Sequence, residues 1–330
     1  MGLFNTPGQW RGYFGSPLTP YDAAGRIDEE VYAQEVEFLI GNGAPALCSL
    51  MHVGESLNLS ADERRRVTEL TVEVAAGRVP VIAHVSLPGT QHTVELAEHA
   101  QSVGAQGVVS VTPYHWRPTD EGLYEHFVAV GSSVDVALLT YSYPAAFGVG
   151  VSPQVATRLV ERLPNYLGAK QADYDMQTFT EMVRALHVAR PDFSVFAGVE
   201  YLLPALALGG CGSLSACGVV APRLLTALWQ AASTGDFEGA RELQWKMGQL
   251  FLLLTSRYPA TIKAAAGIMG REVGPTRLPV LPLAAEEVAA LAAELDAMGI
   301  LESEPYGWAL DAEPDPERAR ASVRGVLAAG

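Results

Sequence analysis

Short apolar runs alternate with longer amphipathic ones from near the first residue to about residue 215, and nothing else in the chain restricts its fold so sharply. The strand-like runs are Tyr13–Leu18, Ala46–Leu50, Val81–Val85, Gly107–Val111, Val136–Tyr141, Tyr166–Lys170, Ser194–Ala197 and Ser213–Ala216. Between them the apolar residues take helical spacing, over Glu29–Asn42, Ala61–Ala76, Thr93–Val103, Thr119–Ala129, Pro153–Arg162, Asp175–Ala189 and Tyr201–Leu208. Strands with little polar alternation are buried on both faces, as in a parallel sheet covered by helices. Eight such units predict an α/β fold, a closed (β/α)8 TIM barrel, in preference to an open Rossmann-like sheet.

Helix starts carry their own signals. Ser60 stands three residues ahead of Glu63, the spacing of a capping box, and Ser152 precedes a proline at a first helical position. After the eighth strand the pattern is helical alone, over Pro222–Ser233, Asp236–Thr255, Ala260–Met269 and Leu283–Met298. Residues 11–220 are therefore expected to form the barrel, 221–300 a C-terminal helical extension and 301–330 a tail. From Ser303 to Pro316 the chain holds acids, glycine and three prolines, which predicts a loosely ordered segment. A short helix is expected to follow through Arg318, Arg320 and Arg324. No repeat is visible beyond the barrel rhythm.

Composition narrows the function classes. The chain has 330 residues and is 49% hydrophobic, enough for one large core. A net charge of -15 argues against nucleic acid or an anionic membrane as partner, while leaving anionic metabolites open. No apolar run approaches a membrane span, and Met1 to Trp10 lacks the basic-then-apolar order of a secretory signal. Cys48, Cys211 and Cys217 sit in apolar or glycine-rich surroundings without zinc-finger spacing. They read as reduced thiols of a cytoplasmic protein.

In a barrel of this kind, chemistry gathers at the C-terminal ends of the strands. Those ends hold His52 and Glu55 after the second strand, His84 after the third, Tyr114 and His115 after the fourth, and Tyr141 on the fifth. Lys170 follows on the sixth, and Gly198-Val199-Glu200 after the seventh. Only three lysines occur in the chain, and Lys170 ends an apolar run where lysine is rare unless it is paired or used. A dry site disfavours the ammonium and frees the amine to attack a ketone. Tyr141 lies about one β-α repeat earlier and so on the adjacent strand, where a phenol can relay protons, with His52 or His115 as its partner. Backbone amides in the turn Met51–Glu55 can hold a carboxylate, and Glu55 is expected to brace that turn.

The residues also carry a family likeness. His52-Val53-Gly54-Glu55-Ser56-Leu57-Asn58-Leu59, Val111-Thr112-Pro113-Tyr114-His115-Trp116-Arg117-Pro118, Thr140-Tyr141-Ser142-Tyr143-Pro144 and Gly168-Ala169-Lys170 together resemble the dihydrodipicolinate synthase / N-acetylneuraminate lyase family. The likeness spans about residues 11 to 299, with Gly270, Gly274, Arg277 and Pro279 in the places they hold in relatives. It implies a (β/α)8 barrel with a C-terminal helical region, assembled as a homodimer or homotetramer. It also implies an imine between a lysine and pyruvate or a related 2-oxo acid, with a bond made or broken at C3 and no cofactor. By resemblance Lys170 is the imine lysine and Tyr141 the general acid/base.

Departures from the family pattern bear on the substrate. The family's usual Gly-Thr-Thr-Gly-Glu or Gly-Ser-Thr-Gly-Glu is here Met51-His52-Val53-Gly54-Glu55. The hydroxyls that hold the oxo acid's carboxylate are thus His52 and Val53, which leaves that task to backbone amides, with or without His52. The relay tyrosine that comes from the neighbouring subunit aligns with His115. The synthase's arginine for the aldehyde's carboxylate aligns with Ala146, which argues against lysine biosynthesis. His84 stands where many relatives have a small residue. Gly198 and Glu200 are expected to line the far side of the pocket, Gly198 because a side chain would collide with the ligand.

A histidine poised near neutral pH moves protons that a threonine only passes along, so stronger acid/base participation is expected. Phe147, Tyr143 and Trp116 would offer an apolar wall to an aromatic or uncharged aldehyde. Three other readings remain open from sequence. His52, His84 and His115 could together hold a metal ion, the barrel could bind a 2-oxo acid without turning it over, or Lys170 could stand in a surface ion pair of an ordinary soluble barrel.

Overall fold

The computed structural model describes residues 10–172, 175–198 and 200–329. Val199 and most of the Met1–Trp10 stretch lie outside the described residues. Eight strands follow one another round a closed barrel: β1 (Gly12–Gly15), β2 (Ala46–Ser49), β3 (Val81–His84), β4 (Gly107–Val111), β5 (Ala137–Ser142), β6 (Tyr166–Gln171), β7 (Ser194–Ala197) and β8 (Gly212–Ser215). All neighbours are parallel, and β8 closes on β1. Every strand residue is buried, as the lack of alternation required. Phe14 of β1 and Phe196 of β7 meet across the interior with ring centroids 4.9 Å apart, so the barrel is packed and its open space lies at the mouth.

The outer layer holds α1 (Glu29–Gly41), α2 (Ala61–Ala75), α3 (Thr90–Ser102), α4 (Asp120–Ser132), α5 (Pro144–Phe147), α6 (Pro153–Arg162), α7 (Met176–Ala189) and α8 (Leu202–Ala207). The capping box at α2 is complete, with Glu63 N donating to Ser60 Oγ (3.2 Å) and Ser60 N to Glu63 Oε2 (2.9 Å). Ser152 Oγ likewise accepts from Val155 N at the start of α6. The single turn α5 was not anticipated. Pro144 starts it and Gly148, in the left-handed region at φ 75°, stops it, so it is too short to show helical periodicity. Gly168 on β6 lets β5 approach, since a Cβ there would lie 2.8 Å from Leu139 Cγ beside the irregularity in the β5–β6 pairing.

The C-terminal extension comprises α9 (Pro222–Thr234), α10 (Phe237–Leu254), α11 (Ala260–Ile268), α12 (Ala285–Ala297), α13 (Ile300–Ser303) and α14 (Pro316–Ala329). The segment expected to be loose is docked instead. Glu304 caps α9 by accepting from Arg223 N (2.8 Å) and Leu224 N (2.9 Å). The buried Arg271 guanidinium donates to the carbonyls of Pro305 and Gly307, and also to Val219 and Val220. Trp308 packs edge-on against Phe38, and Arg320 ties α14 to Asp296 of α12 at 2.7 Å. Prolines and acids did signal irregular backbone. What they could not signal is that its partners lie many residues away.

Glu35 of α1 is a buried acid that the architecture tolerates. Its Oε1 accepts from Leu18 N at 2.7 Å, and burial pushes its carboxyl up from 4.5 to about 8, against the Leu18 amide and the charges of Lys263 and Arg271. A raised native pKa means the folded state binds the extra proton between pH 4.5 and 8, so stability is lost as pH rises through that window. Glu35→Gln keeps the acceptor and removes the titration. In thermal denaturation at pH 5, 7 and 9, the variant should gain progressively on the parent, by on the order of a few kcal/mol over the whole range. A gap that does not change with pH would contradict this.

Candidate active site

Tyr141 of β5 and Lys170 of β6 are direct partners in the sheet register, so they emerge at the same height of the barrel mouth. The Lys170 Nζ sits 3.9 Å from the centre of the Tyr141 ring. Lys170 is only 4% exposed, and burial lowers its pKa from 10.5 to about 8, with Cys48 and Glu200 opposing the shift. About a tenth of the amine is then free at neutral pH, against about 0.03% at the ordinary value. A cavity of about 400 Å3 opens above the pair, and both residues line it.

His52 opens a short 3-10 turn, His52–Gly54, that follows β2. Its ring centroid lies 5.6 Å from Tyr141, 5.1 Å from His84 and 5.2 Å from Phe147, and its Nε2 is buried without a hydrogen-bond partner. Burial pushes its pKa down to about 3, aided by the charges of Lys170 and Arg64. His84 is held well below its ordinary value by burial first, and then by its neighbours His52, Arg64 and Lys170. The imidazoles are therefore not poised near neutral pH, as the sequence suggested. Both are neutral hydrogen-bonding groups.

His84 does not line the cavity but stands behind His52. Its Nε2 is 2.9 Å from Ser86 Oγ, which accepts from Val111 N at 2.7 Å. Buried Arg64 donates to the carbonyls of Ser56 (3.1 Å), His84 (3.3 Å) and Ser86 (2.9 Å), tying the turn to the end of β3. Gly54 is also removed from the cavity. Its carbonyl accepts from Thr19 Oγ1 at 2.6 Å and its amide is spent on Met51 O, while Val53 does line the cavity.

Glu55 adopts a left-handed backbone (φ 53°) and turns its carboxylate away from the amine. It meets Lys263 Nζ at 2.7 Å and accepts from Arg277 N (2.9 Å) and Asn58 Nδ2 (3.2 Å). On the far wall the Glu200 carboxylate accepts from Ser215 Oγ (2.9 Å), Ala216 N (2.7 Å) and Cys217 N (3.1 Å), pinning the end of β8. Gly198 lines the cavity, yet the reason for its bare Cα differs from the one expected. A Cβ there would lie 2.8 Å from the Ala172 nitrogen, so the adjacent chain, ahead of any ligand, demands glycine.

His115 is not brought to this group. It is exposed on the turn after β4, with a left-handed φ of 73°, and its ring packs edge-on against Trp116 at 4.9 Å. His52, His84 and His115 thus do not converge, and no cluster of three metal-ligating side chains occurs among the described residues. Sequence reasoning also missed part of the wall. Phe251, Thr255 and Tyr258, from the end of α10 and beyond, join Tyr143, Ala146 and Phe147 around the cavity. The i, i+4 spacing of Phe251 and Thr255 puts them on one helix face, but spacing alone does not say what that face meets. None of the described helices is long and apolar enough to cross a membrane.

Comparison with known proteins agrees with this geometry. The model of the dihydrodipicolinate synthetase family matches residues 9–298. The 4-hydroxy-tetrahydrodipicolinate synthase of Thermotoga sp. (strain RQ2) is 34% identical over 297 residues, covering 88% of this chain and 100% of that protein. YagE from E. coli K12, a prophage protein solved in complex with pyruvate, superposes with a TM-score of 0.85 at 28% identity, over 88% of this chain and 99% of its own. The 4-hydroxy-tetrahydrodipicolinate synthase of Methylacidiphilum fumariolicum SolV, at 27% identity and TM-score 0.83, covers 97% of this chain and 99% of its own. The chain belongs to the dihydrodipicolinate synthetase family, and so to the class I aldolases and lyases that act on pyruvate-type 2-oxo acids through a lysine Schiff base.

Proposed function

We propose that this enzyme joins or splits a 2-oxo acid and an uncharged, apolar aldehyde at C3, with Lys170 as the imine lysine and Tyr141 as its acid/base. The observation that carries the reading is the register pair itself: a desolvated amine 3.9 Å from a phenol ring centre at a cavity wall. The free amine adds to the keto carbon, and Tyr141 donates the proton with which the carbinolamine oxygen leaves as water. The iminium then accepts the electron pair as the C3–C4 bond breaks or a C3 proton departs. The resulting enamine attacks an aldehyde or is protonated, and water releases the product and Lys170.

The substrate carboxylate is assigned to the amides of His52 and Val53, since the first amides of a 3-10 turn have no acceptor within it. His52, kept neutral, takes part as a relay that accepts one hydrogen bond while donating another. It replaces a hydroxyl in kind, without adding a stronger acid.

The partner's character follows from the wall. Lys170 is the sole lysine or arginine among the described residues lining the cavity, and Ala146 offers no donor to a second carboxylate. The rings of Tyr143, Phe147, Phe251 and Tyr258 occupy that side instead. Burying about 100 Å2 of an aryl group there contributes roughly 2.5 kcal/mol. This supports an aromatic or otherwise apolar aldehyde and opposes the carboxylate-bearing aldehyde of the dihydrodipicolinate synthase reaction. The active unit is read as a homodimer or homotetramer, in which His115 and the 64%-exposed Trp116 reach a neighbouring subunit's cavity.

Borohydride reduction with pyruvate, followed by mass spectrometry, should place one adduct on Lys170. Lys170→Ala should give none, and Tyr141→Phe should slow trapping by about 10²–10³-fold. Labelling of the alanine variant at the parent's rate would end the assignment. The trapping rate should rise about tenfold per pH unit below pH 8 and level off above it, because the amine reacts only when deprotonated. Among aldehyde partners, benzaldehyde should exceed an aliphatic aldehyde bearing a carboxylate in kcat/KM by at least ~10-fold, given the apolar burial above. The reverse preference would refute the apolar reading.

A further inference from the structure

A second cavity, of about 410 Å3, lies away from the barrel mouth between α11, the connection that follows it, and α14. Its floor is apolar, formed by Ile268, Leu283, Val288 and Val323. The polar side chains in its wall share one property: their hydrogens are already used. The three protons of the Lys263 ammonium go to Glu55 Oε1 (2.7 Å), Thr19 O (2.7 Å) and Pro275 O (3.0 Å). The Thr276 hydroxyl donates to Val280 O (2.7 Å) and that of Ser322 to Ala319 O (2.8 Å). What these hydroxyls still present is lone pairs.

Glu272 adds a full negative charge without a partner among the described residues. Its Oε2 lies 3.2 Å from where a Cβ on Gly267 would stand, so the bare Cα of that glycine makes room for the carboxylate in the wall. An apolar chamber whose free side-chain groups are all acceptors, one of them charged, suits a ligand with donors, positive charge and a hydrocarbon body. The chain's net charge of -15 draws such a cation in. We propose that this cavity is a binding site for a small organic ammonium ion with an apolar tail, its ammonium on Glu272 and its tail beneath α14. The site rests on none of the active-site assignments, although Lys263 links the two by holding Glu55 beside the His52 turn. Ser322 and Val323 belong to α14, beyond residues 9–298 that the family model covers, so the chamber depends on the C-terminal helix.

Isothermal titration calorimetry of the full chain with n-pentylammonium chloride, at low salt and without 2-oxo acid, tests this. Saturable binding of one equivalent is expected, weakened at least tenfold in Glu272→Gln. Sodium pentanoate should not bind, for want of a donor. Ala264→Leu, which fills the chamber, should abolish binding, and because Glu272 is exposed its glutamine variant remains a valid test if the leucine variant fails to fold. Lys170→Ala should bind the amine as the parent does. Equal affinity in Glu272→Gln, equal binding of pentanoate, no saturable binding by the parent, or loss of binding in Lys170→Ala would each overturn the proposal.

Discussion

Desolvation of the Lys170 amine is the constraint around which the barrel mouth is arranged. The chain buries two lysines to nearly the same extent, and their surroundings differ in one respect. Each lies over a tyrosine ring, Lys170 at 3.9 Å from the centre of Tyr141 and Lys263 at 4.2 Å from that of Tyr21, but Lys263 is also given a carboxylate at 2.7 Å and two carbonyls. A buried ion pair restores the charged form of an amine, while a ring face restores little of it. The acids nearest the mouth are accordingly kept busy. Glu55 turns to Lys263 and Arg277, and Glu200 is satisfied by two amides and a hydroxyl of the β8 end. Glu200 still acts on Lys170 at a distance, but it does not hold it.

The same constraint bears on the two imidazoles, His52 where the family pattern has a hydroxyl and His84 where many relatives have a small residue. A cation at His52 or His84 would compete with Lys170 for the little polarity the mouth provides, and the charges of Lys170 and Arg64 add to burial in keeping both imidazoles neutral. Held neutral, the histidines bring size and a hydrogen-bonding edge without adding charge. Arg64, the nearby cation that stays in place, is engaged by three backbone carbonyls and serves to fix the turn on which His52 stands. Rigid support of this kind matters because an amine must meet a ketone within a few tenths of an ångström of the reactive distance.

Much of this was legible in the sequence, and the limits have physical causes. Eight buried strands could be read because double-sided burial suppresses alternation, and one β-α repeat between Tyr141 and Lys170 already implied adjacent strands. Depth was not legible. His52 and His84 both follow a strand, but a turn carries one to the cavity and the end of β3 leaves the other behind it. His115 follows a strand too, yet a left-handed residue aims it outward. The protonation of His52 depends on how completely that turn is covered, which residue type does not reveal. The docked segment around Glu304 is a similar case, since its partner amides sit at the start of α9, far away in the chain.

The division of labour between elements has a consequence for specificity. In the proposed reading the imine chemistry is carried by two strands locked in register, where a shift of one residue would turn both side chains out of the mouth. The wall proposed to meet the second substrate comes from a single helical turn, α5, and from the far end of α10, neither of which contributes to the sheet. Substitutions at Ala146, Phe147, Phe251 or Thr255 therefore reshape the partner's side of the cavity while leaving the Tyr141–Lys170 pairing intact. An arginine at position 146 would place a charge beside rings that now exclude it, at a desolvation cost its new ligand would have to offset. A barrel built this way can change its aldehyde without rebuilding its amine.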